Sequence, residues 1–448
     1  MNDPVIPRIQ FRTTHSSVWA ALAIGLLLFG EIARRFVIPL HNLRQEVLIG
    51  GWVLAFAVNL GIYALAWLER PFTVTARQQA FLDDLWVTVI IPVYNEDPAA
   101  LDLCLQAVMQ QDRLPEEVLV IDDGSTVAYP GVRSYWERAT PRSVRFGWLR
   151  QENAGKRHAQ SQAFRYAQDA DVYVTLDSDT VLERRAIAEG LKPFAQRGVT
   201  SVAGIEMALN LKRNWLTRVA GCRQLIWQVT QCATQSVRGQ ILVNRGTFAL
   251  YRGDIVQRYL QAYESETFLG RPVVMSDDSY LTLFCLIEGR TVQQPTAVQF
   301  TLVPENVSHH IRQWIRWMRG STVRSIWRVK YLPVFSIGWF MTVFSVWSLF
   351  VSASMVIASL AFWQVGLHVL PMMLWSTAAF AYTGAMRIFQ YQRSDDTMAD
   401  RLDTFVACIL AVTWSMTVLK VVRIYALLTC QRAAAGWGTR QAKAEVAV

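Results

Sequence analysis

Charge is what this chain has least of. Only 18% of its 448 residues are Asp, Glu, Lys or Arg, while 52% are hydrophobic. Soluble domains carry roughly 25% charged residues, so the deficit predicts membrane segments. Cysteine is sparse as well. Cys104, Cys222, Cys232, Cys285, Cys408 and Cys430 form no CxxC pair and have no His at zinc spacing, which argues for free thiols facing a cytosol. The chain also lacks internal repeats, low-complexity stretches and a G-x-x-x-x-G-K-[ST] phosphate loop. No cleavable signal is legible: Val18 to Gly30 is apolar, but Glu31, Arg34 and Arg35 follow without a small-residue cleavage site, so a retained anchor is expected. The net charge of +9 sits largely beside apolar and Trp-rich stretches. That placement suits an anionic lipid surface better than nucleic acid.

Hydrophobic segments flank a more polar middle. Val47 to Leu68, with Asn59 its strongly polar residue, is long enough for the ~20 apolar residues that a bilayer core needs. With residues 18–40 it predicts an N-terminal hairpin within 1–69, whose orientation Arg8, Arg12, Arg34, Arg35 and Arg44 leave open. Leu332–Trp363 and Val365–Ile388 are further candidate spans. Thr404–Thr429 contains Lys420 and Arg423, and fits either one crossing or a re-entrant hairpin. Between 307 and 331, Arg312, Arg316, Arg319, Arg324, Arg328 and Lys330 alternate with Trp314, Trp317 and Trp327. This pattern predicts an amphipathic helix in the membrane interface.

Residues 70–306 read as a soluble α/β domain. Strand signals fall at Val87–Val93, Val118–Ile121, Val144–Leu149, Val172–Leu176 and Ser201–Met207, with helical patterns between the first, second and fourth. Alternation of this kind predicts a mostly parallel sheet. The strand at Val172–Leu176 ends in Asp177-Ser178-Asp179. Residues i and i+2 of a strand share a face, so both carboxylates can meet a ligand at the carboxyl rim, where open α/β sheets bind theirs. A Mg²⁺ or Mn²⁺ ion bridging a diphosphate would balance them.

Other strand ends point to the same rim. Tyr94-Asn95-Glu96 follows the first strand and Asp122-Asp123-Gly124 the second. Asn153-Ala-Gly155-Lys156-Arg157 opens a helix, and its backbone N–H groups and two cations suit a phosphate. Asp277 and Asp278 precede a helix-like run; a carboxylate there can deprotonate an attacking hydroxyl, or merely cap the helix. Gln313, Arg316 and Trp317 lie at i, i+3 and i+4, so one helix face presents an amide, a guanidinium and an indole. The amide can bond a sugar, the guanidinium can grip a diphosphate, and the indole can stack on a pyranose. Each motif alone is an ordinary turn or cap. Acids from three strands on one rim are harder to explain that way.

Taken in order, these motifs resemble the processive, membrane-embedded family 2 glycosyltransferases. Within that group the chain is most similar to hyaluronan synthases, through Ala233 to Val243 leading to Tyr251-Arg252, Thr267 to Pro272, and the terminal Trp437-Gly-Thr-Arg440. The resemblance runs from Val87 onward. It implies a GT-A-type, Rossmann-like glycosyltransferase domain inserted between N-terminal and C-terminal transmembrane helices. The implied divisions are a membrane hairpin at 1–69, a cytosolic catalytic domain at 70–306, an interface helix at 307–331, a membrane or re-entrant region at 332–430 and a cytosolic tail at 431–448. The cell membrane is the expected location.

The implied partners are UDP-sugars, a growing polysaccharide and membrane lipids, with Mg²⁺ or Mn²⁺ as cofactor and no nucleic acid. By position, Asp122 and Asp177 would contact uridine, with Tyr94, Glu96 and Gln313 also on the donor side. Lys156, Arg157 and Arg316 would meet the diphosphate, and Trp437 and Arg440 would close over it. Asp179 would hold the metal and Asp278 would be the general base. Trp317 and Asn244 would face the acceptor.

Two departures stand out. Hyaluronan synthases usually show G-D-D-R where this chain has Ser276-Asp-Asp-Ser279, and C-S-G-P where it has Asn244-Arg-Gly246-Thr247. The second loop shapes the acceptor pocket in the family, so the sugars are left open. Arg245 is a candidate to replace the missing arginine. Hyaluronan from UDP-GlcNAc and UDP-GlcA is the leading product. A chitin-like oligosaccharide, a glucose–glucuronic acid capsule and a sugar loaded onto a lipid carrier are the alternatives. A transporter with a nucleotide-binding domain competes poorly, because the phosphate loop is missing and the membrane segments are few.

Overall fold

The computed structural model describes residues 6–12, 43–126, 129–361 and 363–434, together with Ile24, Leu27 and Glu31. Apart from those three residues, the first hydrophobic segment read at 18–40 lies outside this description, as do Trp437 and Arg440.

The chain begins with β1 (Ile9–Phe11) and α1 (Leu43–Ala66). The catalytic region then runs α2 (Ala76–Asp83), β2 (Val87–Val93), α3 (Pro98–Met109), β3 (Glu117–Asp122), α4 (Pro130–Ala139), β4 (Arg145–Arg150) and α5 (Lys156–Tyr166). It continues through β5 (Val172–Leu176), β6 (Val181–Leu182), α6 (Ala186–Leu191) and β7 (Val199–Ala208). Helix α7 (Trp215–Trp227) passes through a wider π turn into α8 (Ala233–Val237). Then come β8 (Phe248–Arg252), α9 (Gly253–Glu264), the small hairpin β9 (Thr267–Phe268) and β10 (Arg271–Pro272), α10 (Asp277–Glu288) and β11 (Arg290–Thr301). The C-terminal part holds α11 (Val307–Tyr331), α12 (Ile337–Ala361), α13 (Trp363–Ile388), β12 (Tyr391–Arg393), α14 (Met398–Met416) and α15 (Val418–Leu428).

Eight strands form one sheet in the order β4-β3-β2-β5-β8-β7-β11-β6. Strands β4, β3, β2 and β5 are parallel, while β8 runs antiparallel between β5 and β7. Every residue of β2, β3 and β5 is buried, as expected of strands covered on both faces. Alternation divides them: Val89, Ile91, Val118, Val120 and Val174 enter the larger core, whereas Ile90, Leu119, Ile121 and Tyr173 enter the smaller one against α5, α9 and α10. Strand order reverses about β2, so the carboxyl ends of β2, β3 and β5 open onto one crevice.

Among the described residues, two helical segments are long and apolar enough to cross a membrane, Ile337–Ala358 and Met398–Leu428. The second is two helices, because Thr417 leaves helical geometry at ψ −87 between α14 and α15. Helix α14 packs on α13 and α7, and α15 packs along α11. The sequence places the basic residues of α11 in the membrane interface, but two of them turn inward. Arg324 and Arg328 are buried against the catalytic domain, the latter donating to the Leu242 carbonyl at 2.7 Å.

Candidate active site

The rim is built from three strand ends bound to each other. Asp122 Oδ1 accepts from Ser125 N–H at 2.9 Å, and Asn95 Oδ1 accepts from Thr126 N–H at 2.8 Å. Asp123 accepts from the N–H groups of Ala154 and Gly155, both at 2.9 Å, which draws the start of α5 onto the rim. Gly124 has φ +72, and a Cβ there would lie 2.6 Å from Asn153 N, so only glycine fits this crossing. Ser178 donates to Glu96 Oε2 at 2.8 Å, joining the ends of β2 and β5. Tyr94 and Asp179 are half-buried on the same rim.

Lys156 is the hub of the crevice. Its Nζ stands 2.6 Å from Asp177 Oδ1 and 3.3 Å from Asp277 Oδ2, so one ammonium joins the β5 rim to the start of α10. Burial opposes its charge, but Asp177 and Asp277 outweigh that and hold its pKa above the ordinary lysine value. Asp277 is also buried, yet Lys156 and Arg157 keep it below the usual carboxylate range. Asp278 behaves oppositely. Burial, reinforced by the neighbouring Asp277 charge, pushes it up to about 7. Its oxygens accept from Ser279 N–H at 2.6 Å and Gly246 N–H at 3.2 Å, which fixes its direction. A carboxylate with that pKa is suited to take a proton from a hydroxyl at neutral pH.

A divalent cation suits the rim chemistry. Asp177, Asp179 and Glu96 all lie near the Cys104 thiol, which burial first and then these three charges push well above its usual pKa. Hard carboxylate oxygens match Mg²⁺ or Mn²⁺. Among the described residues no three ligating side chains converge into a cage. Mg²⁺ is commonly held by one or two carboxylates and completed by phosphate and water.

Arg157 does not face the rim. It is buried, donating to Glu266 at 2.8 Å and to the Met275 carbonyl at 3.1 Å, with Tyr263 and Tyr280 against its guanidinium. Arg324 of α11 meets the same Glu266 at 2.8 Å and donates to Ser279 Oγ at 3.3 Å. Arg245 does not replace the missing arginine. Its Nε lies 3.7 Å from Glu206 and its guanidinium lies over Trp227. The cation beside Ser279 comes from α11 instead. Nothing in the sequence spacing shows this, because Ser279 and Arg324 are brought together only by the packing of α11.

Gln313, Arg316 and Trp317 are half-buried on α11, the last two one turn before Gly320 and Gln313 two turns before it. Gly320 is pressed against Ser276, where a Cβ would overlap the Ser276 hydroxyl. This contact places the Trp317 region of α11 beside the start of α10, where Asp278 lies. Asn244 is fully buried, its backbone N–H donating to Thr282 at 3.0 Å, and its side-chain amide has no hydrogen-bond partner among the described residues.

Comparison with known proteins agrees with this geometry. Residues 88–260 match the family model described as glycosyl transferase family 2. Hyaluronan synthase of Streptococcus pyogenes serotype M3 is 33% identical over 84% of this chain and 87% of its own length. An N-acetylglucosaminyltransferase of Azorhizobium caulinodans is 35% identical over 52% of this chain and 59% of its own. A mannosyltransferase of Pyrobaculum calidifontis, solved with GDP-Man and Mn²⁺, superposes with a TM-score of 0.54 at 20% identity, over 83% of this chain and 99% of that one. The shared fold is GT-A-like.

Proposed function

The chain belongs to glycosyltransferase family 2, with the hyaluronan synthases among its relatives, and from that premise we propose a processive, inverting polysaccharide synthase that uses UDP-sugars and exports its product. Hyaluronan from UDP-GlcNAc and UDP-GlcA is the leading product. In this reading residues 70–306 form the cytosolic catalytic domain and 307–331 the interface helix. Residues 1–69 and 332–430 lie in the cell membrane, and 431–448 form a cytosolic tail whose Trp437 and Arg440 close over the donor.

The observation that carries the reading is Asp278, half-buried in the first turn of α10, pushed up to about 7 and followed by Ser279, which meets Arg324 of α11. Asp278 takes the proton of the acceptor hydroxyl as its oxygen attacks the anomeric carbon from the face opposite the diphosphate. The bond to the diphosphate breaks as the new glycosidic bond forms, and UDP leaves with the electron pair. Asp122, with Tyr94 and Glu96, holds the nucleoside. Asp177 orients Lys156, which with Arg316 and Gln313 meets the diphosphate, while Trp317 and Asn244 face the acceptor sugar. Asp179 would hold a divalent ion, which when bound supplies positive charge to the leaving diphosphate. Arg157 supports the site from behind, through Glu266.

The test is UDP release by the purified protein in lipid nanodiscs with Mg²⁺ or Mn²⁺. UDP-GlcNAc, UDP-GlcA, UDP-Glc and UDP-Gal are supplied singly and in pairs. Release requiring UDP-GlcNAc and UDP-GlcA together, with a hyaluronidase-sensitive polymer, is the expected result. Sustained release with UDP-GlcNAc alone would replace the product with a chitin-like oligosaccharide, the second reading favoured by the Azorhizobium relative. Release that saturates after one transfer would replace polymerisation with loading of a carrier.

A further inference from the structure

Helix α15 is amphipathic in an unusual sense. Its outward residues Val421, Tyr425 and Leu428 are 68%, 45% and 73% exposed, an apolar face suited to lipid. Its inward side carries Lys420 and Arg423, which point at the serine-bearing side of α12. Lys420 Nζ donates to Ser352 Oγ at 2.6 Å and Arg423 Nη2 to Ser345 Oγ at 3.1 Å, so α15 runs antiparallel to α12. Helix α12 carries the apolar run Ile337–Ala358, and α15 is the second part of the apolar run Met398–Leu428, each long enough to cross a membrane. At 1.5 Å per residue, Ser352 lies about 22 Å along α12 from Ile337 and about 9 Å from Ala358, so Lys420 meets α12 inside its apolar run.

Cations at such depth are costly unless they serve a water-filled or ligand-filled interior. Here, among the described residues, neither has a carboxylate partner; hydroxyls are what meet them. The position is connected to the active site. Trp314 Nε1 donates to the Leu419 carbonyl, one residue before Lys420, at 3.4 Å, and the Trp314 and Trp317 rings are 6.0 Å apart. A chain leaving the Trp317 face would meet these two cations next.

We propose that Lys420 and Arg423, with Ser345 and Ser352, form a carboxylate-binding station for an acidic, uronate-bearing sugar chain as it leaves through the membrane helices. The proposal rests on the synthase reading above and sharpens it. A neutral polymer would need hydroxyls and amides along its path but no unpaired cations, whereas a uronate in alternate sugars supplies the missing counter-charge.

The experiment measures binding of two oligosaccharides to the full chain in nanodiscs, one alternating GlcNAc with glucuronic acid and one of GlcNAc alone. Lys420→Met/Arg423→Met is expected to weaken the acidic oligosaccharide about tenfold and leave the neutral one unchanged, while Lys420→Arg/Arg423→Lys retains binding. Equal weakening of both, or of neither, overturns the station. Carbodiimide coupling of the acidic oligosaccharide to the wild-type protein gives a second measurement that needs no variant. An amide at Lys420 found by mass spectrometry supports the site, and coupling only elsewhere overturns it. Repeating the binding with and without phosphatidylglycerol tests the lipid alternative. If the double variant loses only a phosphatidylglycerol-dependent stabilisation, the cations bind headgroups and the proposal fails. Wild-type protein that binds the acidic oligosaccharide yet releases no UDP with any donor would overturn the synthase reading alone.

Discussion

Arg324 Nε stands 3.3 Å from Ser279 Oγ, across the interface between α11 and the first turn of α10, which carries Asp278. The same guanidinium closes on Glu266, and Glu266 also receives Arg157 from the helix that bears Lys156. One buried carboxylate therefore ties the helix bearing Lys156 to α11, whose Arg324 also reaches the first turn of α10. Short serines at 276 and 279 leave room for this; a longer side chain at 279 would compete for the space that Arg324 occupies.

Removing Arg324 should cost both stability and turnover. Arg324 and Glu266 are 0% and 1% exposed, and breaking a buried pair by deleting one partner costs roughly 3–5 kcal/mol. Arg324→Ala is expected to lower the thermal midpoint and UDP release together, while Arg324→Lys, which keeps charge but loses the fork, recovers part of both. Thermal unfolding in nanodiscs beside a UDP-release assay checks this. An Arg324→Ala protein as active as wild type would refute the tie.

Gly320 offers a cleaner probe of the same contact. A methyl group there overlaps the Ser276 hydroxyl, and overpacking costs about 1–3 kcal/mol. Gly320→Ala should push α11 from the start of α10 and reduce UDP release at least tenfold. Adding Ser276→Gly removes the hydroxyl and suits the backbone, since Ser276 has φ +61. The double variant is expected to be more active than Gly320→Ala alone.

The pH profile should follow Asp278. Its carboxyl is pushed up to about 7 by burial and by Asp277, and only the ionised form accepts a proton. UDP release should rise through about pH 7 and level above it. The stability effect has the opposite sign. Because the folded state favours the protonated carboxyl, the contribution of Asp278 is full below about pH 4, the unfolded value, and is lost as pH rises through 7. Asp278→Asn should remove the activity step and lower release by at least ~100-fold, while UDP affinity stays within about twofold.

Much of this was readable before any coordinates. Strands β2 and β5 fall where the apolar runs Val87–Val93 and Val172–Leu176 place them, because buried parallel strands are hydrophobic throughout. Strand β11 escaped notice because it carries Gln293, Gln294 and Gln299, each fully buried and bonded to groups such as Glu69, Phe72 and Thr247. These side chains bond partners distant in sequence, which periodicity does not reveal. Arg157 misled for the same reason. A cation beside Lys156 at a helix start suggests phosphate, but Glu266 claims it, and no local spacing announces a partner so distant in sequence.

Trp317 is where chemistry and membrane anchoring make opposite predictions. Its ring is half-buried beside Trp314, on the helix pressed to the start of α10. If it stacks on the acceptor, Trp317→Ala should raise the acceptor KM about tenfold, the equivalent of ~1.4 kcal/mol and within the range of aromatic contacts. The donor KM should change little, and Trp317→Phe should recover most of the loss because a flat ring remains. An anchor would behave differently: alanine would lower expression and thermal midpoint, phenylalanine would restore them, and acceptor KM would stay fixed in every folded variant. Steady-state kinetics with a fixed oligosaccharide acceptor and varied donor, then the reverse, separates the two. An unchanged acceptor KM in folded Trp317→Ala would remove Trp317 from the acceptor site.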